Sequence, residues 1–525
     1  MTSPSPAATR GKGLLLTFIC VGIFMVYLDS TIVNVALPEI QHDLSANMTQ
    51  LQWVIDAYAL VVACLLLMAG TLGDSFGRKR IFLGGLAGFL AASVLCAVSP
   101  SYEFLLAARV LQGAAGSVMI PVSLALVSTT FPEPAARARA IGVWAGIGGL
   151  ALAAGPVLGG VLVDAFGRQS IFWVNVPFGL VAFAVLVTRL PESKAPGRRR
   201  ADVVGQILFV VSIASLVYAL IEAGARGWSD PLILAAFAVA AVAMAAFIGW
   251  ELRREQPMLP MSLFRSPVLV VAGAVNFLGL FGLYGSIFLL TFYLQQVNGL
   301  STTETGVHFL SLNVSIMVFS YVASVAAAKF GPKVPILIGS VASAVGLFAL
   351  GRLDQGSGFG EYGWSMALLG AGVSLVGAPA TVALLLSVRP EQASTASGVS
   401  NTFRQVGSVF GVALCGTLLI RHLGGAVPDA VSGIAMDAGT RQEAVGALSH
   451  GDLSVVAQLP ARVQGPVMDA VGPIFTEGLR IGFTTAAIGT LVGGLFALVV
   501  LPGRKRQAAR AAATAPKVAS DSASH

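Results

Sequence analysis

Fourteen stretches of about 20 mostly apolar residues divide this chain. They fall at about 13–36, 51–73, 81–99, 104–128, 140–163, 171–190, 203–223, 231–250, 268–297, 306–328, 334–351, 363–388, 396–420 and 479–501. Each is long enough to cross the hydrocarbon core of a bilayer as a helix. Lipid offers no partner to an unpaired backbone group, so helices are the form such runs must take. The expected class is therefore an all-α, multi-pass membrane protein. Composition agrees: 56% of the 525 residues are hydrophobic and 11% charged, against roughly 25% charged in soluble domains. Cys20, Cys64, Cys96 and Cys415 all lie in apolar runs with no metal spacing and no disulfide framework, and read as small core hydrophobes. The polar, weakly basic start runs directly into a full span, which does not read as a cleaved signal peptide.

The net charge of +7 is a topology signal rather than a nucleic-acid signal. Most of the 32 basic residues fall in alternate connections: Arg10 and Lys12, Arg78 to Arg80, Arg137 and Arg139, Arg198 to Arg200, Arg253 and Arg254, and the tail from Arg504. The intervening short connections carry only Arg168, Arg226 and Arg352. The positive-inside rule then places both termini in the cytoplasm of a multi-pass protein of the cytoplasmic (inner) membrane.

Internal repeats give the expected architecture. Asp74-Ser-Phe-Gly-Arg78 recurs as Asp164-Ala-Phe-Gly-Arg168, after the second span on one side and the fifth on the other. The same turn on opposite faces marks inverted three-helix repeats. Phe76-Gly77-Arg78-Lys79 is echoed by Phe330-Gly331-Pro332-Lys333, and Pro132-Glu133-Pro134-Ala135 by Pro390-Glu391-Gln392-Ala393. Residues 1–190 are thus expected to form an N-terminal six-helix bundle, and 191–266 a linker with two inserted helices. Residues 267–502 are expected to form a C-terminal six-helix bundle with a long outer loop at 421–478, and 503–525 a disordered cytoplasmic tail.

Within the fifth span lies Gly146-Ile-Gly-Gly-Leu-Ala-Leu-Ala-Ala-Gly155-Pro156-Val-Leu-Gly159-Gly160. Glycines at this density admit a second backbone, and the proline removes a donor and bends the helix. Such a helix suits a pivot surface; a merely close-packed structural helix is the other reading.

Charges within spans are few, and each costs roughly 2.5–3.5 kcal/mol on insertion scales, so it is normally paired or functional. Asp29, in the first span, is the acid expected to couple protons, because a buried carboxylate can exchange a proton for a cation. A structural pair with Arg109, in the fourth span, is its alternative. Asp56 is placed near the outer end of the second span, where Trp53 and Tyr58 would help it attract cations. Glu222 closes the seventh span beside Arg226, and Arg404 lies in the thirteenth. Phe277, Phe281, Tyr284, Phe288 and Phe292 form a stripe on the ninth span that suits either a cavity wall or packing.

At this point the chain resembles the major facilitator superfamily, and within it the fourteen-helix drug:proton antiporter branch. Gly70-Thr-Leu-Gly-Asp74-Ser-Phe-Gly77-Arg78-Lys79-Arg80 is similar to the superfamily's loop between helices 2 and 3. Arg109-Val-Leu-Gln112-Gly113 is similar to its helix-4 motif, and Gly155-Pro156-Val-Leu-Gly159-Gly160 to its antiporter helix. Leu28-Asp29-Ser-Thr31-Ile-Val-Asn34-Val-Ala36-Leu-Pro38 is similar to the branch's helix-1 signature. In the second half Ala328 stands where the loop has Asp74.

The resemblance implies the major facilitator fold, two six-helix bundles with two extra inserted helices, and proton-driven export of amphipathic, often cationic, compounds by alternating access. It implies a gate role for Gly70, Asp74, Gly77, Arg78 and Lys79, and a monomer by default. Cavity candidates are Asn34, Trp53, Tyr58, Gln112, Asn276, Phe281, Tyr284, Asn313 and Arg404. No phosphate-binding loop, nucleophile motif or metal spacing is present, and His42, His308, His422, His450 and His525 stand alone. The expectation is a non-enzyme without cofactor or metal, driven by the proton gradient, whose partners are small amphipathic substrates, protons and the bilayer, with no nucleic acid. An exporter dedicated to one endogenous metabolite or antibiotic, a carrier of neutral lipid-like substrates, and a non-transporting sensor remain as alternatives.

Overall fold

The computed structural model describes residues 6–194, 202–255, 257–385, 387–388 and 393–501, and these are helical throughout apart from connections. Fourteen helices are long and apolar enough to cross a membrane. They are α1 (Pro6–Val35), α2 (Met48–Phe76), α3 (Arg78–Ala97), α4 (Tyr102–Thr130), α5 (Pro134–Phe166), α6 (Ser170–Arg189) and α7 (Val203–Arg226). They continue as α8 (Pro231–Glu251), α9 (Pro267–Val297), α10 (Thr302–Phe330), α11 (Lys333–Leu350), α12 (Phe359–Leu385), α13 (Ala393–Ser432) and α14 (Ala461–Val500). Most of the expected linker (195–201) and the tail lie outside the described residues.

Local sequence explains where these helices begin and end. Capping boxes start α2, where Asn47 and Gln50 bond each other's backbone N–H at 2.9 Å, and α10, through Ser301 and Glu304. The repeated Phe-Gly pairs all become the same helix stop. Gly77, Gly167 and Gly331 end α2, α5 and α10 at φ of 105°, 74° and 79°, where a side chain would be strained. Each of these glycines donates its N–H back to the residue four positions earlier.

One expectation is corrected. The segment 421–478 is not a long loop. α13 runs on to Ser432 and α14 begins at Ala461, so both helices project past the apolar zone. Only 433–460 connects them, with short helices at Ala438–Ser449 and Val455–Gln458. This connection reaches the first bundle, where His450 accepts from the Met48 N–H at 3.4 Å.

The inserted α7 lies in the seam between α2 and α13. Its Gln206 amide donates to the Cys64 carbonyl of α2 (2.7 Å), and its Glu222 accepts from Trp53 Nε1 (3.0 Å). From the other side, Thr417 Oγ1 of α13 donates to the Leu220 carbonyl (2.6 Å). α8 packs on α7, where Ser212 donates to the Ala240 carbonyl (2.9 Å).

Candidate functional site

The first six and last six helices meet at one end of the molecule. There Gln52 Nε2 donates to the Val412 and Ala413 carbonyls (both 3.0 Å), and Gln295 Nε2 to the Val35 carbonyl (2.8 Å). Asp164 accepts from the Thr303 N–H (2.8 Å), and Asn313 Nδ2 donates to the Ala153 carbonyl (3.2 Å). The antiporter-helix glycines make this contact possible. A Cβ on Gly160 would strike the Thr302 carbonyl and Thr303 backbone, and one on Gly306 the Pro156 carbonyl. Gly155 and Gly159 press on Thr31 and Ile32 of α1 in the same way. Earlier in the glycine run, a Cβ on Gly146 or Gly149 would meet open space, whereas one on Gly148 would press on the Tyr27 ring.

Below this seal lies a cavity of about 520 Å³ between the bundles, lined by parts of α1, α2, α4, α5, α9, α10, α12 and α13. Its wall is mostly apolar. The candidates Asp56, Tyr58, Arg109, Tyr284, Asn313 and Arg404 line it. Asn34, Trp53, Gln112, Asn276 and Phe281 do not. Asn34 and Asn276 are buried, with amides bonded to the Ser30 and Thr31 carbonyls and to Ser400 respectively. Trp53 and Glu222 bond each other in the α7 seam, with Arg226 3.4 Å from Glu222. The aromatic stripe is chiefly packing. Phe288 and Phe292 are fully buried edge-to-face neighbours and Phe277 packs on Phe410, so Tyr284 alone of the five faces the cavity.

The two intramembrane aspartates of the first bundle have opposite surroundings. Asp29 is fully buried, and both its oxygens are bonded. Arg109 reaches one at 2.5 Å and Gln112 Nε2 the other at 2.8 Å. Arg109 also donates to Gln112 Oε1 (2.7 Å) and the Val54 carbonyl (3.1 Å), and its guanidinium lies 4.3 Å from the centre of the Tyr58 ring. Ser93 extends the network behind Gln112 (3.0 Å). Asp29 itself stands behind Arg109, away from the cavity wall.

Asp56 is also fully buried and lines the cavity, yet neither of its oxygens has a hydrogen-bond partner. It stands one turn from Gln52 near the start of α2, as the sequence places it, but the Gln52 seal and the connection at 433–460, which bonds Met48, keep it from solvent at that end. Arg404 lines the same cavity and forms no ion pair among the described residues.

At the far end, the expected gate residues form a small cluster. Arg78 donates to Asp74 at 2.8 Å, one helical turn apart. Sequence reasoning missed Glu192. Its carboxylate accepts from the Lys79 N–H (3.0 Å) at the start of α3, an N-terminus left open by the α2–α3 turn. A Cβ on Gly77 would strike that carboxylate. Lys79 Nζ reaches the Val187 carbonyl (2.8 Å), and the Arg78 N–H the Ser193 carbonyl (2.9 Å). No signal in the sequence ties residue 192 to residue 79; only the packing of α6 beside α3 does. Gly70 stands over open space.

The family described as Major Facilitator Superfamily matches residues 19–412. Over 487 residues the chain is 36% identical to the tetracenomycin C resistance and export protein of Streptomyces glaucescens, covering 92% of this chain and 90% of that one. It is 37% identical over 428 residues to the multidrug resistance protein Stp of Mycobacterium tuberculosis, covering 79% of each. Among solved structures, a bacterial homolog of the human lysosomal transporter Spinster, in an inward-facing and unoccupied conformation, superposes with a TM-score of 0.67 at 15% identity. It covers 97% of this chain and 99% of that one. With the helix-5 glycines, the repeated Phe-Gly turns and a cavity between two bundles, these likenesses make the chain a member of the Major Facilitator Superfamily, among relatives named for drug resistance and export.

Proposed function

We propose that this protein is a proton-coupled antiporter of the cytoplasmic membrane that exports amphipathic, commonly cationic, compounds by alternating access. The observation that carries the reading is Asp56, a carboxylate buried in the wall of the cavity with no partner on either oxygen. An ionised carboxylate in that position is costly by several kcal/mol unless a counter-charge arrives. It therefore holds a proton when the cavity is empty and gives it up when a cationic substrate takes its place. That exclusion is the elementary step of antiport.

In this reading Asp29 serves a second part. Its bonds to Arg109 and Gln112 hold the guanidinium beside Tyr58 at the cavity wall, and it titrates only when the bundles rock and that network opens. The sealed end faces outward and the Asp74–Arg78 end faces the cytoplasm, as the distribution of basic residues suggests. The state described is then inward-facing. The protein works as a monomer without a cofactor.

The test is substrate-evoked proton release from acid-loaded proteoliposomes, for wild type, Asp56→Asn and Asp29→Asn, over cationic, neutral and anionic amphiphiles. Proton release by several unrelated cations in wild type, lost in Asp56→Asn, is the expected result. Full coupling in Asp56→Asn would return the proton to Asp29. A second reading, export of one antibiotic only, is favoured by the relative named for tetracenomycin C; a response to a single compound in the panel would establish it.

A further inference from the structure

We propose that Arg404 is the binding site for an acidic oxygen on the cargo. The cavity then favours amphoteric compounds, with a basic nitrogen for Asp56 and a carboxylate, phenolate or enolate for Arg404. The proposal rests on the export reading for the part of Asp56 and on the surroundings of Arg404 for the rest. The charged residues of the cavity wall are Asp56, Arg109 and Arg404. The two guanidiniums differ in what they hold. Arg109 is paired with Asp29, bonded to Gln112 (2.7 Å) and to the Val54 carbonyl (3.1 Å), and set against the Tyr58 ring. Arg404 is half-buried and makes no hydrogen bond, ion pair or ring contact with any described residue.

A carboxyl can shed its charge by taking up a proton, but a guanidinium stays charged. In the export reading Asp56 is protonated when the cavity is empty. Asp29 and Arg109 cancel, so the empty wall carries the single positive charge of Arg404. A purely cationic cargo that displaces the proton restores the Asp56 carboxylate and adds its own charge, and the excess remains. An amphoteric cargo adds no net charge, so the loaded cavity is neutral. In a mostly apolar cavity that difference is weakly screened.

Packing aims Arg404 at this space. A Cβ on Gly407 or Gly411 would strike the Phe277 or Phe281 carbonyl, so that side of α13 is closed by α9. Arg404, Ser408 and Val412 follow at four-residue spacing on a neighbouring face and line the cavity. The charge of Arg404 acts on the phenol groups of Tyr27 and Tyr284, which line the cavity with it. Neither hydroxyl donates to a described backbone carbonyl, whereas that of Tyr58 is committed to Val26 (3.0 Å). A planar guanidinium fork with phenol donors beside it suits an acidic oxygen. Gln52 of α2 and Val412 of α13 meet at the seal. Asp56 lies about one turn inward from there and Arg404 about two, so their backbones differ in depth by about 6 Å. The two groups do not bond each other, and a ligand with its charges on separate parts answers both.

The probes are tetramethylrhodamine, which carries a delocalised cation and a carboxylate, and its methyl ester, which carries the cation alone. Fluorescence anisotropy reads their Kd for the full chain in lipid nanodiscs. Wild type is expected to bind the acid about tenfold more tightly than the ester, the scale of one charge-assisted pair. Arg404→Gln is expected to abolish that preference by weakening the acid alone. Arg404→Lys keeps the charge without the fork and is expected to retain part of it. Ester binding unchanged in both variants marks an intact cavity. Equal affinity of wild type for the two dyes, binding of neither, or equal weakening of both by Arg404→Gln would overturn the proposal. Proton release from acid-loaded proteoliposomes separates it from the export reading. An acid preference that depends on Arg404, with no proton release by either dye, keeps the site and sinks the export reading. Release by both dyes without that preference sinks the site and keeps the export reading.

Discussion

The turns Asp74–Arg78 and Asp164–Arg168 carry nearly the same five residues and the same left-handed glycine, yet they are wired in opposite ways. In the first, aspartate and arginine bond each other, and Glu192 of the same bundle accepts from the Lys79 N–H with Arg80 3.7 Å away. In the second, the pair is split. Asp164 accepts from Thr303 of the other bundle, and Arg168 turns to Asp43 (3.0 Å) and to Ser99. One motif is self-satisfied at an end where it braces nothing beyond its own bundle. Its copy is spent on holding the two bundles together. The lesson is that the motif encodes a turn and two charges, and that the partner is chosen by what packs against each copy. In the alternating-access reading proposed above, the two ends would exchange partners of these two kinds.

The sharpest way to break this comparison is steric. Gly160→Leu drives a side chain into the Thr302–Thr303 backbone and should cost about 1–3 kcal/mol in the sealed state, abolishing proteoliposome flux and lowering Tm. Gly70→Leu, over open space, should also stop flux if the Asp74–Arg78 end closes in the proposed cycle. Its Tm should hold or rise, since a helix-interior glycine is lost. Equal thermal effects would mean that the two ends are not in opposite states.

Next in size is the arginine pair. Arg168 is almost fully buried and makes three side-chain bonds, so Arg168→Ala should cost about 2–3 kcal/mol, less than the roughly 3–5 of a wholly buried pair because Asp43 is about one-third exposed. Arg78→Ala breaks a pair within one helical turn, at the edge of the molecule, and should stay within about 1 kcal/mol. Thermal unfolding separates the two. The smallest effect is expected for Glu192→Gln, which keeps an acceptor for the Lys79 N–H and loses only the exposed Arg80, 3.7 Å away. Its Tm should be unchanged while Glu192→Ala lowers it slightly.

Much of this fold is legible in the sequence because the bilayer imposes a simple rule. A run of apolar residues of sufficient length is a helix, and the Phe-Gly pairs fix where three of them stop. Hydropathy failed where helices leave the bilayer. Residues 421–432 and 461–478 continue α13 and α14 in a polar setting, so apolar content falls while the backbone ladder runs on. The site was legible in part. Arg109, Asp29 and Gln112 share a network that their residue types invite. The burial of Asp56 was not legible, because position along a span gives depth but not which groups from other helices cover it. Glu192 was invisible because it acts on a residue more than a hundred positions away.

The bonds of α7 to both bundles turn one edge of the molecule into a spine. Two bodies fastened along a spine open as the covers of a book do, with displacement growing in proportion to distance from the fastening. In the cycle proposed above, the α5–α10 edge would be the fore-edge and would travel farthest. Distances measured across it will report the cycle with the largest amplitude, while labels flanking α7 will scarcely move. In the alternating-access cycle proposed above, the two inserted helices would hold one edge of the molecule nearly still.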